Sequence, residues 1–248
     1  MNLFAGQNGF FTATFLILAV RHMDRKPIVA GICLGLLTVK PQLAILFPLA
    51  LLLSGRIRCF ASAALTTLLL IALSCAVFGT GVWVDYLRLA IPFQNEVMNY
   101  GTGIFIPMMP TSFMNARLWD ASPVVAWLVQ APFSLLAIAA VVWTFGRRRD
   151  PLLSFAVLIV AGFVVTPYIF DYDMVVFGWL IAVLRPRLCG IWDARLALAV
   201  WTLPVTTILF GLCHVPVSAP ILAAFMLRLV WLLRNDASQA VRYEPATA

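Results

Sequence analysis

The chain has 248 residues, of which 63% are hydrophobic and 11% charged. A soluble domain carries about 45–50% apolar and about 25% charged residues, so this composition excludes a soluble globular protein and indicates a chain that uses the bilayer as its solvent. The formal net charge of +7 does not point to nucleic acid, because the basic residues come in small sets between apolar runs instead of gathering on one face or tract.

Apolar runs fall at residues 3–20, 28–39, 41–53, 59–78, 123–145, 151–166, 174–184, 196–212 and 217–233. A spanning helix needs about 20 apolar residues, with roughly 17 as a lower limit. The runs 28–39, 41–53, 151–166 and 174–184 fall short of that. The pattern predicts an all-α, polytopic transmembrane bundle of about 7–9 spans, some of them short and paired at re-entrant-like turns. Residues 1–234 form a single transmembrane domain in this reading, and 235–248 a polar, frayed tail.

Lysine and arginine set the orientation. If 28–39 and 41–53 form a tight hairpin, Arg21, Arg25, Lys26, Arg56, Arg58, Arg147, Arg148, Arg149, Arg185, Arg187, Arg195, Arg228, Arg234 and Arg242 share one side. Only Lys40, Arg88 and Arg117 fall on the other, fourteen against three. One kinked crossing over 28–53 would instead put the clusters at 21–26 and 56–58 on opposite sides. The hairpin is therefore preferred, with the fourteen and the C-terminus in the cytoplasm. No basic residue precedes Arg21 and no signal-peptide pattern is present, so further helices are expected upstream.

Residues 79–122 form the one long loop, facing outward, with Trp83, Tyr86, Tyr100 and Trp119 suited to the membrane interface. Within it, 82–91 places Trp83, Val84, Leu87 and Ile91 on one helical face, which predicts a short helix lying in the membrane surface. No internal repeat and no low-complexity segment stands out. Cys33, Cys59, Cys75, Cys189 and Cys213 form no CxxC pair, and His22 and His214 lack metal-ligand spacing. Neither a disulfide framework nor a zinc site is expected.

Depth is the most informative quantity. Lys40 lies thirteen residues from Pro27, roughly 20 Å of helix, whereas the hydrocarbon layer is about 30 Å thick. Counting back from Arg185 recesses Asp171 and Asp173 to a similar level. Ionisable groups and irregular backbone at that depth are costly unless they are buried in protein or line a wet cavity. A polar cavity open to the outer side is expected, floored by the turns at Lys40-Pro41 and at 166–173. The plainer alternative is that Lys40 and an aspartate only pair to hold helices together. Asp171-Tyr172-Asp173 has the form of a DxD metal motif, but so short a match is common by chance and helix capping explains Asp173 equally well. No metal or cofactor is expected. Gln7, Asn8 and Arg117 are further candidates for the cavity mouth, while Gln130 reads as an interhelical hydrogen bond.

Several stretches taken together carry a resemblance: Gly6-Gln7-Asn8, Ala30-Gly31-Ile32-Cys33-Leu34-Gly35-Leu36 leading to Lys40-Pro41-Gln42, Phe78-Gly79 before Trp83, Met109-Pro110-Thr111-Ser112 with Arg117-Leu118, and Thr166-Pro167-Tyr168 with Asp171-Tyr172-Asp173. In this order the chain resembles glycosyltransferase family 87, integral membrane enzymes of the GT-C type similar to polyprenol-phosphate-mannose-dependent alpha-mannosyltransferases. The resemblance implies a hexosyltransferase of the cell inner membrane, passing a sugar from a polyprenyl-phosphate donor to a lipid or glycan acceptor on the extracytoplasmic side. It implies Lys40 as the donor-phosphate partner, while Asp171, Tyr172 and Asp173 are substrate-cavity candidates on the depth count alone. It also implies a catalytic Asp or Glu in the first outward loop, which has no counterpart here, so the catalytic residue is left unassigned. Some members carry His after the Ser-Pro or Thr-Pro turn, where this chain has Phe170-Asp171-Tyr172-Asp173. The alternatives are a truncated or non-catalytic membrane subunit, and a small-solute transporter or flippase, although the repeats usual in transporters are not found.

Overall fold

The computed structural model describes residues 6–146 and 150–242, with side chains to residue 235. The described residues hold twelve α-helices, joined by short 3₁₀ turns and connections: α1 (Gly9–His22), α2 (Pro27–Leu36), α3 (Phe47–Leu53), α4 (Ile57–Phe78), α5 (Gly81–Asp85), α6 (Ile91–Tyr100), α7 (Ser112–Arg117), α8 (Pro123–Phe145), α9 (Pro151–Val165), α10 (Val175–Leu184), α11 (Ile191–Leu212) and α12 (Ser218–Arg242). Among the described residues, α4, α8, α11 and Ser218–Asn235 of α12 are long and apolar enough to cross a membrane. The chain is a polytopic helical membrane protein.

Local chemistry explains where the helices start and stop. Pro27, Pro123 and Pro151 open α2, α8 and α9 at the first helical position, where a missing N–H costs nothing. Asp150 accepts from Leu153 N at 2.8 Å and Thr111 from Met114 N at 3.1 Å, capping α9 and α7. Two further prolines break the short spans at depth. Lys40 precedes Pro41 with φ −145° and ψ 74°, and Thr166 precedes Pro167 with φ −90° and ψ 137°. The proline ring forces the residue before it out of the helical region, so α2 ends through the 3₁₀ turn Leu37–Val39 and α9 ends at Val165.

The core is built around α9, which is buried from Leu153 to Val164 and packs against α8 and α12. A helix apolar all round belongs inside a bundle. The opposite case is α4, in which only Cys59 is buried and Leu65, Leu68, Leu69, Leu73 and Val77 lie exposed. Its one packed side meets α2. There a Cβ on Gly31 would stand 2.5 Å from the Cys59 carbonyl oxygen and from Ser62 Cβ, and one on Gly35 would stand 2.5 Å from Thr66 Cβ. Small residues one turn apart let two backbones approach where lipid supplies no hydrophobic drive. Ser62 Oγ uses that closeness to donate to the Ile28 carbonyl at 2.8 Å.

Three ion pairs gather at one end of the bundle: Arg56–Asp24 at 2.8 Å, Arg187–Asp150 at 2.9 Å and Arg228–Asp193 at 2.6 Å. The first ties the α1–α2 connection to the α3–α4 connection, and the second ties the start of α9 to the turn after α10. Both short segments therefore return to the end from which they left, which is the hairpin arrangement expected from the arginine distribution. Residues 147–149, part of that count, lie outside the described residues.

Two features differ from the sequence reading. The stretch 79–122 is largely helical: α5 continues through a π-helical turn (Tyr86–Ala90) into α6, and α7 follows. A π turn shifts the helical register, so the expected surface helix over 82–91 runs on to Tyr100. At the other end, α12 continues to Arg242, past the expected start of the tail; residues 243–248 lie outside the described residues.

Candidate active site between two proline turns

The two proline turns meet. Lys40 Nζ lies 2.6 Å from Asp173 Oδ1, and the side chains are 13% and 1% exposed. The pair joins residues 133 apart in sequence, and their shared depth is what the residue counting from Pro27 and Arg185 implies. The ammonium also sits 4.4 Å from the centre of the Tyr172 ring, a cation–π contact that partial desolvation strengthens.

Thr166 and Phe170 have extended backbone, and the 3₁₀ turn Asp171–Met174 follows. Ring contacts join Tyr168, Phe170 and Tyr172 in a row. Tyr168 meets Phe170 edge-on at 5.4 Å, and Phe170 stacks on Tyr172 at 5.0 Å with 8° between the planes. The segment before α7 is stitched to this turn. Asp171 N donates to the Met108 carbonyl at 2.8 Å, and Thr111 Oγ1 donates to the Pro167 carbonyl at 3.1 Å.

Gln130 of α8 fixes the scaffold behind. Its Oε1 accepts from Ser112 Oγ at 2.6 Å and Phe113 N at 3.0 Å. Its Nε2 donates to Ser134 Oγ at 2.9 Å and to the Val164 carbonyl at 3.1 Å. One buried amide thus serves the start of α7 and the frayed end of α9, where helix termination leaves backbone groups unpaired. This is the interhelical role that the sequence suggests for it.

A cavity of about 600 Å³ opens above the paired turns, lined by Lys40, Gln42, Tyr86, Gln94, Asn95, Trp127, Tyr168, Tyr172 and Asp173 among others. Asp173 Oδ2 is buried without a hydrogen-bond partner. Asp171, 1% exposed, is not in the cavity wall; its Oδ1 accepts from Tyr172 N at 2.7 Å and its Oδ2 is also buried without a partner. Gln7 and Asn8 precede α1, which packs on the Asp171–Met174 turn, but neither side chain lines the cavity. Arg117 is likewise outside it, because its guanidinium turns back to the Ala121 carbonyl and closes its own loop.

Sequence reading missed the opposite wall, Tyr86, Gln94, Asn95 and Trp127. The adjacent amides Gln94-Asn95 in the outer stretch were a visible signal, but only the fold turns α6 toward Lys40. Among the described residues no group of three or more His, Cys, Asp or Glu could hold a metal ion, and Asp171 and Asp173 do not converge on one point of the cavity. The arrangement supplies one cation, one buried carboxylate, an aromatic row and several amides around a space large enough for a sugar.

The family model for glycosyltransferase family 87 matches residues 1–167. No curated protein and no solved structure matches the chain. The matched stretch takes in Lys40, Thr111, Gln130 and Thr166-Pro167, and it ends before Asp171, Tyr172 and Asp173. It covers more than half of the sequence, from α1 through α9 and into the second proline turn, so the chain belongs to glycosyltransferase family 87 and is a membrane glycosyltransferase.

Proposed function

We propose that this protein transfers a hexose, of the mannose kind, from a polyprenyl phosphate to a lipid or glycan acceptor on the extracytoplasmic face of the cell membrane, with the donor phosphate held by Lys40. One observation carries the reading. An apolar groove of about 490 Å³, lined by Leu34, Leu37, Phe47, Leu51 and Phe60 among others, meets the polar cavity at Pro41 and Ile45, the two residues common to both. Lys40 stands at that junction. A ligand with a hydrocarbon tail, an anionic group and a polar head would match groove, ammonium and cavity in that order.

In this reading the lipid tail lies against α2, α3 and α4, and the phosphate meets the ammonium at the break in the helix. An ammonium beside the phosphate offsets charge developing on the leaving oxygen as the sugar departs. The hexose occupies the space between the tyrosine and phenylalanine row and Gln94-Asn95, where ring faces and amides suit a polyhydroxylated ligand. The acceptor hydroxyl approaches from the α5–α7 side. The ion-paired end of the bundle faces the cytoplasm, as does the C-terminus.

The test is transfer of labelled mannose from polyprenyl-phosphate mannose in vesicles carrying the purified full chain, with lipid and glycan acceptors supplied outside. The wild type is expected to transfer label. Lys40→Ala should insert normally and lose transfer about a hundredfold, the cost of removing a desolvated charge partner. No transfer by the wild type to any acceptor overturns the reading, and full activity in Lys40→Ala removes Lys40 from the donor site.

A further inference from the structure

The outer wall of the cavity owes its composition to one irregular turn. Trp83 fastens α5 to α4, its Nε1 donating to Ser74 Oγ at 2.8 Å, and Tyr86 meets the Trp83 ring edge-on at 5.9 Å. Continued from Tyr86 as an ordinary α-helix, the chain would carry positions three, four and seven residues on to the same face. Those positions are Leu89, Ala90 and Phe93, and the wall would be apolar.

The structure instead runs Tyr86–Ala90 as a π turn, with Ile91 N donating to the Tyr86 carbonyl five residues back. A π turn takes one extra residue into the helical turn, so the face passes from Tyr86 to Ile91. From Ile91 the α-helical spacing then gives Gln94, Asn95 and Met98. These three, with Tyr86 and Ile91, are the residues that α5, the π turn and α6 contribute to the cavity. Leu89 and Phe93 lie exposed outside it.

The shift puts one phenol and two neutral amides where apolar side chains would stand. Among the described residues, none of the three hydrogen-bonds to another protein group. An amide offers a carbonyl acceptor and two N–H donors, and a phenol both donates and accepts, which is the set that a ring of hydroxyls needs. The charged residues of the same stretch, Asp85, Arg88 and Glu96, are all outside the cavity. We propose that the π turn Tyr86–Ala90 sets the head-group specificity of the cavity, turning Tyr86, Gln94 and Asn95 inward to read the hydroxyls of a neutral sugar. This rests on the donor reading above. With the phosphate at Lys40 and the tail in the apolar groove, this wall meets the part of the ligand that differs from one sugar to another.

The experiment uses the full-length protein in lipid nanodiscs and has two arms. The first measures affinity for undecaprenyl phosphate bearing mannose, glucose or no sugar. Wild type is expected to bind one sugar-bearing lipid about tenfold tighter than the bare one, the worth of one or two ordinary hydrogen bonds. Gln94→Leu combined with Asn95→Leu should abolish that preference and leave affinity for the bare lipid unchanged. Tyr86→Phe should reduce it, and Phe93→Ala should keep it. A preference retained in the double variant overturns the assignment, as does a parallel loss of affinity for all three lipids.

The second arm needs no ligand and reads the register directly. Spin labels are placed at Asn95→Cys or Phe93→Cys in a background of Cys75→Ser, Cys189→Ser and Cys213→Ser. The label at 95 should be relaxed by a water-soluble reagent and the label at 93 by oxygen dissolved in lipid. The reverse pattern is that of an unbroken α-helix and overturns the assignment. Wild type that binds the bare lipid without preferring either sugar defeats this assignment alone. Wild type that binds none of the three lipids defeats the donor reading, and this assignment with it.

Discussion

Arg228 of α12 grips Asp193 of α11 with two hydrogen bonds, Nε to Oδ1 at 2.6 Å and Nη2 to Oδ2 at 3.0 Å. Asp193 is 4% exposed and also accepts from Gly190 N at 3.2 Å, at the start of its own helix. The pair therefore joins two long spans at the end where the other two ion pairs lie. Arg228→Ala leaves a buried carboxylate uncompensated and should cost about 3 kcal/mol, read as a lower thermal midpoint in detergent. Adding Asp193→Ala to that variant should recover much of the loss, because the stranded charge goes with it.

Gln130 serves partners on two other helices, so its replacement is expected to be costly for its size. Gln130→Leu strands Ser112 Oγ, Phe113 N and the Val164 carbonyl in the interior, at about 1–3 kcal/mol for a buried unsatisfied group. Gln130→Glu keeps the acceptor and should be harmed less at α7 than at α9. Hydrogen exchange of the α7 and α9 amides in the two variants separates these effects.

The α2–α4 contact depends on the absence of side chains at two positions. Gly35→Leu drives a Cβ to within 2.5 Å of Thr66 Cβ, and the helices must separate. Overpacking of this kind costs about 1–3 kcal/mol. The apolar groove beside Phe60 and Leu37 shares these helices, so the same variant should bind undecaprenyl phosphate more weakly while Lys40 is untouched. Thermal unfolding and lipid binding measured on one preparation check both.

Native cysteines report the orientation. Cys189 and Cys213 are exposed, and Cys33 and Cys59 are buried. Cys189 follows the Arg185–Arg187 turn at the ion-paired end. Cys213 lies at the other end, next to His214, whose carbonyl accepts from Trp119 Nε1 at 2.8 Å. With intact cells, a membrane-impermeant maleimide should label Cys213 directly and Cys189 only after permeabilisation. The reverse order of labelling would invert the orientation proposed here.

Much of the architecture was legible residue by residue. The apolar runs predicted α2, α4, α8, α9 and α10 to within three residues at either end, because a chain in lipid must satisfy its backbone internally and has few alternatives. The arginine distribution implied the hairpins that Asp24–Arg56 and Asp150–Arg187 now display. Counting depth along two short segments put Lys40, Asp171 and Asp173 at one level, and the fold pairs Lys40 with Asp173. The close contact at Gly31 and Gly35 was also written in the spacing, one turn apart beside a span bearing Ser62 and Thr66, but it went unread.

What lay beyond reach was the placement of weakly patterned residues. By residue type, Gln7, Asn8 and Arg117 are as eligible for the cavity as Gln94 or Asn95, since all are polar groups near the ends of apolar segments. The sequence by itself determined the solvent, most of the long helices, the end of the bundle at which the arginines gather and the two proline breaks. These follow from hydrophobicity, helical rise and proline sterics, which act locally along the chain. Only the tertiary structure decided that α6 faces Lys40, that Arg117 closes its own loop, that Asp171 sits outside the cavity wall, and that an apolar groove meets a polar cavity at Pro41 and Ile45. Those outcomes depend on how separate helices rotate and pack, and packing is decided between elements, by shape and by unpaired polar groups, not by the period of any one of them.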